Sequence, residues 1–307
     1  MSPKPRRLAV DVYGYGQVAR ALLPMLKRAE IGIATVRDRT RIRISHPARG
    51  GRRVFVDATS PRYDGEPARA WVRRLEAALS GGTPVVTCNK APLAIAWKRL
   101  VAAARAGRTS LSCSATVGGG TPVLLFLHRL HRSHGVVRVE APLNATTNFV
   151  LDRVANGASL PDAVRAAHRA GWAESDPTLD LDGTDAQAKA VIIHNLLFPE
   201  KRPLALLPSR PRLRLKEEEI RHLATSSGAP RLIATIVPSR VRLKLLAGSA
   251  AKAIPGGLGV AGARAVLRDG SEATITGPGA GPQVTAGALV GDLLALRDSF
   301  DEVGTRP

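Results

Sequence analysis

Five of the chain's 25 acidic residues fall within twelve positions: Glu174, Asp176, Asp180, Asp182 and Asp185. The formal net charge is +20, so this is a local reversal of sign. Lys189 follows Asp185 by four residues, which places the two side chains on one face of a helix. Clustered carboxylates beside an ammonium suit two kinds of chemistry: binding a cationic ligand and moving a proton. The plainer alternative is a solvated acidic loop that caps a helix, with Asp185 near the helix start. In that case the Asp185–Lys189 pair is an ordinary helix salt bridge worth about 0.3–0.5 kcal/mol. Calcium is disfavoured. A calcium loop in register with Asp180, Asp182 and Gly183 puts Lys189 where a bidentate glutamate is required. Only nine of the 45 basic residues are lysine, yet Lys90 and Lys189 are lysines at motif positions. Arginine cannot release its proton near neutrality and a buried lysine can, so proton transfer would demand lysine there.

A second constellation opens the chain. Gly14-Tyr15-Gly16-Gln17-Val18-Ala19 lies between a predicted strand and a predicted helix. The first glycine permits a tight turn, and the second lets backbone approach a pyrophosphate. The third position needs a small residue for close helix–strand packing, and Ala19 can serve. The helix start then offers amide donors to phosphate. A second strand ends about 20 residues further on, at Val36-Arg37-Asp38-Arg39. An acid there binds the ribose hydroxyls of NAD, and arginine holds the 2′-phosphate of NADP. Two arginines flank one aspartate, so the reading leans to NADP with NAD possible. Solvated loop charge is the alternative for Arg37 and Arg39.

The elements that would carry these residues alternate. Strands are predicted at 6–13, 32–36, 54–58, 84–87 and 110–116. Helices are predicted at 18–26, at 66–80 with Trp71, Leu75 and Leu79 at i, i+4, i+8, and at 92–106. Such alternation implies a parallel, doubly wound sheet. Beyond about residue 120 the pattern changes. Residues 136–143 and 231–246 are β-rich, and 160–169 and 185–197 read as helices. The stretch 208–219 is charged, bears proline and is expected to be exposed. A last helix, 284–296, could return to the first domain.

Composition narrows the class. With 307 residues and 44% apolar content, the chain can bury a sizeable core and favours two domains. No apolar run approaches the roughly 20 residues of a membrane span. Residues 1–7 have charges but no apolar segment behind them, so no secretory signal is expected. Two isolated cysteines, Cys88 and Cys113, make neither a disulfide framework nor a C-x-x-C metal pair. A reduced, cytoplasmic location fits. The basic residues are dispersed and aromatics are only 4%, which argues against nucleic acid as a partner.

Six further segments, at 54–60, 86–92, 115–122, 143–149, 171–189 and 277–281, stand in order within a likeness that runs from about residue 8 to 295, and it is homoserine dehydrogenases that they resemble. Val54-Phe55-Val56-Asp57-Ala58-Thr59-Ser60 resembles the third-strand signature. Val86-Thr87-Cys88-Asn89-Lys90-Ala91-Pro92 is similar to the T-A-N-K segment. Ala115-Thr116-Val117-Gly118-Gly119-Gly120-Thr121-Pro122 is similar to the glycine-rich crossover. Leu143-Asn144-Ala145-Thr146-Thr147-Asn148-Phe149 resembles an N-G-T-T-N strand. Gly171-Trp172-Ala173-Glu174-Ser175-Asp176-Pro177, running on to Lys189, resembles the catalytic signature. Gly277-Pro278-Gly279-Ala280-Gly281 resembles the C-terminal glycine turn. The chain departs from the family at Ala19, at Ala141-Pro142-Leu143-Asn144-Ala145-Thr146, and at Ser114, where the family often has glutamate. In the family the crossover can hold sodium through backbone carbonyls plus that glutamate. Here Val117 and Gly119 could still supply carbonyls, but no tight metal site is expected.

The resemblance implies an α/β fold: a Rossmann-type nucleotide-binding domain, 1–120 with 282–307, plus a mixed α+β catalytic and dimerisation domain, 121–281. It implies a homodimer with a partly open second sheet, a role in threonine and methionine biosynthesis, and no separate regulatory domain. The implied reaction interconverts L-homoserine and L-aspartate 4-semialdehyde with NADP or NAD; the alternative is a related dehydrogenase of another amino acid or semialdehyde. The implied catalytic residues are Lys189 as acid/base, Lys90 as a positive charge near the reacting oxygen, and Asp185. Glu174, Asp180, Asp185 and Thr146 are the implied substrate residues. Gly14, Gly16, Gln17, Val18, Arg37, Asp38, Arg39, Thr59, Ser60, Lys90, Gly171 and Gly281 are the implied cofactor residues.

Overall fold

The computed structural model describes residues 8–46, 51–173, 176–199, 201–206, 213–224 and 228–304. Two compact units emerge, residues 1–120 with 281–307 and residues 121–280.

The first unit is the predicted doubly wound sheet. Its elements run β1 (Leu8–Tyr13), α1 (Gln17–Arg28), β2 (Gly32–Arg37), β3 (Ile42–Ser45), β4 (Arg52–Asp57), α2 (Gly65–Ser80), β5 (Val85–Thr87), α3 (Lys90–Ala106) and β6 (Leu111–Ser112). The sheet order is β3-β2-β1-β4-β5-β6. All pairings are parallel except β2–β3. β1 lies between β2 and β4, so the chain reverses its direction of winding at β1, the place where such sheets open a crevice. Val10, Val12, Val36, Val54, Val56 and Val86 are fully buried, as expected of strands covered on both faces. Leu22 and Leu26 of α1 pack there with Ala286, Leu289 and Leu293 of the C-terminal helix, Pro282–Gly304. That helix therefore belongs to the first unit, as its sequence suggested.

Two details differ from expectation. The edge strand β3 has four residues, mostly exposed, and its alternation of Ile42 and Ile44 is too short to stand out in the sequence. The strand expected over 110–116 is only two residues long and gives way to a 3-10 turn at Ser114–Thr116.

The second unit runs α4 (Val123–His134), β7 (Val136–Ala141), α5 (Ala145–Ala155), α6 (Leu160–Arg169), α7 (Thr178–Leu181), α8 (Thr184–Leu197), α9 (Glu217–Leu223), β8 (Arg231–Val237), β9 (Arg240–Leu246), α10 (Gly248–Lys252), β10 (Val260–Leu267) and β11 (Glu272–Pro278). Its five strands are antiparallel, in the order β11-β10-β7-β8-β9. The edge strands alternate: Arg240, Arg242 and Lys244 on β9, and Glu272, Thr274 and Thr276 on β11, are exposed. The segment expected as an N-A-T-T-N strand is instead the start of α5. Asn144 is extended and its side chain accepts the Thr147 amide, which caps the helix. That cap outweighs the strand preference of two threonines. Within the charged stretch 208–219, residues 208–212 lie outside the described residues, and Glu217 begins α9.

Candidate active site

The first unit holds the glycine turn. Gly14 has φ +102°, and a Cβ there would lie 2.4 Å from the Ala58 carbonyl oxygen, so only glycine fits. Its amide donates to the Arg37 carbonyl (2.9 Å), which joins the turn to the end of β2. Gly16 is the N-cap of α1, with no side-chain cap and no acid in the first turn. A Cβ at Gly16 would meet nothing within 4 Å. The helix start beginning at Gln17 and Val18 thus faces open space with its amide donors uncapped by any side chain. Ala19 is fully buried, where the third small residue was expected.

The cleft over this turn is lined by Arg20, Arg37, Arg39, Arg43 and Arg74, together with Tyr13, Tyr15, Thr59, Ser60 and Trp71. Arg37 and Arg74 lie over the Tyr13 ring at 5.3 and 4.9 Å, and Arg20 and Arg43 over Tyr15 at 5.2 and 5.5 Å. Arg37 Nε is buried without a hydrogen-bond partner. Asp38 is the one acid in the lining. One carboxylate oxygen accepts from the Thr40 amide (2.9 Å), the Thr40 hydroxyl (3.0 Å) and the Arg41 amide (2.9 Å); the other accepts from Arg43. Those amides, with Arg43, hold its carboxyl well below the usual range. Asp38 is thus engaged by its own loop, while the arginines outnumber it.

A buried carboxylate organises the neighbouring loops. Asp57 at the end of β4 is fully buried and accepts from the Thr59 amide and hydroxyl (3.1 and 2.6 Å), Trp71 Nε1 (2.8 Å) and the Thr87 hydroxyl (3.2 Å). Burial pushes its carboxyl up against the pull of those donors. Asn89 Nδ2 donates to Thr59, and Asn89 Oδ1 caps α3, whose first residue is Lys90. This network was not anticipated from the sequence; an aspartate inside an apolar strand end was its only local signal.

At the crossover, Val117 is buried, and Gly118 and Gly119 have positive φ. Ser114 N donates to Asp292 (3.0 Å). Among the described residues no group of three or more histidine, cysteine or acidic side chains is arranged for a metal. Gly281, with φ +123°, precedes the C-terminal helix.

The second unit assembles the acidic cluster. Asp185 and Lys189 form the predicted i, i+4 pair at 2.7 Å, and Asp185 is only 7% exposed. Lys189 Nζ also donates to the Leu143 carbonyl (2.7 Å). Asn144 Nδ2 donates to both Asp180 (2.6 Å) and Asp185 (3.0 Å). Thr147 Oγ1 donates to the Asp180 carbonyl (2.8 Å), and Thr146 Oγ1 to the Trp172 carbonyl (2.6 Å). Burial, then the Asp185 charge, pushes the Asp180 carboxyl up. A half-buried ammonium and two carboxylates held in one hydrogen-bonded group are no solvated loop; they suit a ligand ammonium and a proton donor. Glu174 lies outside the described residues. Gly171 has φ +73° and ends α6, so its glycine is already required by the helix terminus.

Residues 122–294 match a family model described as homoserine dehydrogenase. A homoserine dehydrogenase of Sulfurisphaera tokodaii is 32% identical over 245 residues, covering 80% of this chain and 77% of that protein. An NAD(+)-dependent homoserine dehydrogenase of Pseudomonas canavaninivorans is 30% identical over 261 residues, covering 81% and 72%. Among solved structures, a homoserine dehydrogenase from Thiobacillus denitrificans shares the fold at TM-score 0.78 and 23% identity, covering 98% of this chain and 77% of that one. A hyperthermophilic archaeal homoserine dehydrogenase in complex with NADPH does so at TM-score 0.75 and 22% identity, covering 94% and 97%.

Proposed function

The chain belongs to the homoserine dehydrogenase family, and from that premise we propose that it interconverts L-homoserine and L-aspartate 4-semialdehyde with NADP. The observation that carries this reading is the Asp180–Asn144–Asp185–Lys189 group, whose carboxylates and ammonium match an amino-acid alcohol and its aldehyde.

The residues of the first unit fit a dinucleotide phosphate. Gly14 and Gly16 leave backbone room, the start of α1 at Gln17 and Val18 offers amides, and Thr59 and Ser60 line the cleft. Arg37, with a buried donor unsatisfied, and Arg39 are assigned to the 2′-phosphate. With Asp38 engaged by its own loop, NAD is the lesser cofactor. The nicotinamide, when bound, supplies the hydride acceptor or donor.

Asp180 and Glu174 are assigned to the substrate ammonium, and Thr146 lies beside Asp180. The neutral amine of Lys189 takes the hydroxyl proton during oxidation, and the ammonium so formed returns it to the aldehyde oxygen during reduction. Asp185 and the Leu143 carbonyl hold that ammonium in place. Lys90, the first residue of α3 after the Asn89 cap, is assigned a positive charge near the reacting oxygen. Gly171 and Gly281 are assigned to close backbone approach at the cofactor. Val117 and Gly119 offer carbonyls alone to a sodium ion, too weak a set for tight binding. The first unit serves as the nucleotide-binding domain, and the second as the catalytic and dimerisation domain of a homodimer. No helix among the described residues is long and apolar enough to cross a membrane; the two free cysteines, Cys88 and Cys113, support action in the cytoplasm.

Purified protein should reduce NADP⁺ with L-homoserine as the only substrate. Lys189→Ala should lower turnover by about 10²–10⁴-fold with cofactor binding intact. Unchanged turnover in that variant would reject the assigned role.

A further inference from the structure

Asn144 makes three side-chain hydrogen bonds that together call for a side-chain amide, one oxygen to accept and one nitrogen to donate twice. Oδ1 accepts the Thr147 amide at 2.7 Å and caps α5. Nδ2 gives one hydrogen to Asp180 Oδ1 at 2.6 Å and the other to Asp185 Oδ2 at 3.0 Å. The rotation of the amide is determined. Turned over, it would aim Oδ1 at two carboxylate oxygens and Nδ2 at an N–H donor. We propose that Asn144 is a positioning residue of the reaction: one buried amide nitrogen that sets the spacing between the substrate-binding Asp180 and the Lys189-paired Asp185. This rests on the function proposed above.

Capping alone does not account for asparagine here. Aspartate and serine cap a helix about as well. Aspartate would turn an acceptor toward two acceptors, and serine has no second donor to span them. Only the bridge requires the amide. Burial, above all, raises the Asp180 carboxyl; of the charged groups acting on it, both on α8, Asp185 raises it and Lys189 lowers it. Asn144 opposes the mutual repulsion without adding charge, so the group remains net negative toward an incoming ammonium. Its support reaches into the sheet. The Asn144 carbonyl accepts Asn148 Nδ2 (2.8 Å), and Asn148 Oδ1 accepts the Leu232 amide of β8 (2.7 Å). Leu143, one residue earlier, gives its carbonyl to Lys189. Two adjacent residues in the turn between β7 and α5 thus hold both carboxylates and the ammonium.

The test compares Asn144→Asp and Asn144→Ser, both of which keep a capping oxygen. In Asn144→Asp, kcat/KM for L-homoserine should fall about 10²-fold or more, with KM for NADP⁺ held within about twofold. The acid limb of its pH profile should move up by about one unit, because a third carboxylate joins the group. Asn144→Ser should lose about tenfold in kcat/KM. Wild-type kcat/KM and pH profile in either folded variant would reduce Asn144 to a helix cap. If Asn144→Asp does not fold, Asn144→Ser decides alone. A ¹³C titration of the Asp180 carboxyl without substrate reads the bridge separately. An unmoved midpoint in Asn144→Ser overturns the inference even if the wild type oxidises homoserine. A moved midpoint in a protein inactive on homoserine keeps the bridge and rejects the assigned reaction.

Discussion

Arg37 and Asp38 are neighbours with opposite situations. The guanidinium has a buried Nε with no partner, while the carboxylate receives two backbone amides, a hydroxyl and Arg43. A phosphate can satisfy the first; a ribose diol would have to compete with four donors for the second. Arg37→Ala should therefore raise KM for NADP⁺ by about 10–100-fold, the range of a charge-assisted hydrogen bond of about 1.5–3 kcal/mol, and leave KM for NAD⁺ nearly unchanged. Parallel titrations of both cofactors check this, and an equal rise for both would contradict it. At this scale the sequence was legible wherever the partners are local. Gly14 with Gly16, and Asp185 with Lys189, stand at spacings that dictate their geometry. Asn144 was visible only as part of a motif, because its partners lie 36 and 41 residues away. Asp57 likewise stood only within a motif, and Tyr13, Arg20, Arg43 and Arg74 were missed because nothing local distinguishes them from other residues of their elements.

At the scale of elements, Asp57 joins β4 to α2 through Trp71, to β5 through Thr87, and through Thr59 to the Asn89 cap of α3. Asp57→Asn halves the acceptors available to these donors and should destabilise the first unit by about 1–3 kcal/mol near neutrality. The pH dependence has a definite sign. The folded pKa lies above the ordinary value of 3.8, so the native state retains a proton that the unfolded chain has released. The contribution of Asp57 is then fully present below the unfolded value and declines as pH rises through the folded one. The stability advantage of wild type over Asn variant should be largest in acid and shrink toward neutrality. Urea midpoints across that range measure it, and an advantage that grows with pH would contradict the sign. The elements read best from sequence were those with an uninterrupted apolar period, such as α2 with Leu75 and Leu79 fully buried. The N-A-T-T-N segment was misread because β-branched threonines suggest a strand, whereas one capping side chain decided the helix. β10 and β11 were not picked out at all, since glycines interrupt both and the exposed side of β11 carries threonine and glutamate.

At the scale of the molecule, the net charge of +20 is spread along the chain, and five arginines around the cleft of the first unit add a local positive field to it. Such a field draws in anions, and salt shortens its reach from about 30 Å at 0.01 M to about 8 Å at 0.15 M. Over that range kcat/KM for NADP⁺ should fall by about tenfold, and clearly more than kcat/KM for the less charged NAD⁺. Initial rates at stepped KCl concentrations test this, and equal slopes for the two cofactors would remove the steering. The alternation on β9 has a different consequence. Arg240, Arg242 and Lys244 stand at every second position along an outermost strand. Two copies that tried to zip these margins together would bring cation against cation along the seam, so this border, a natural template for runaway fibre growth, repels its own kind.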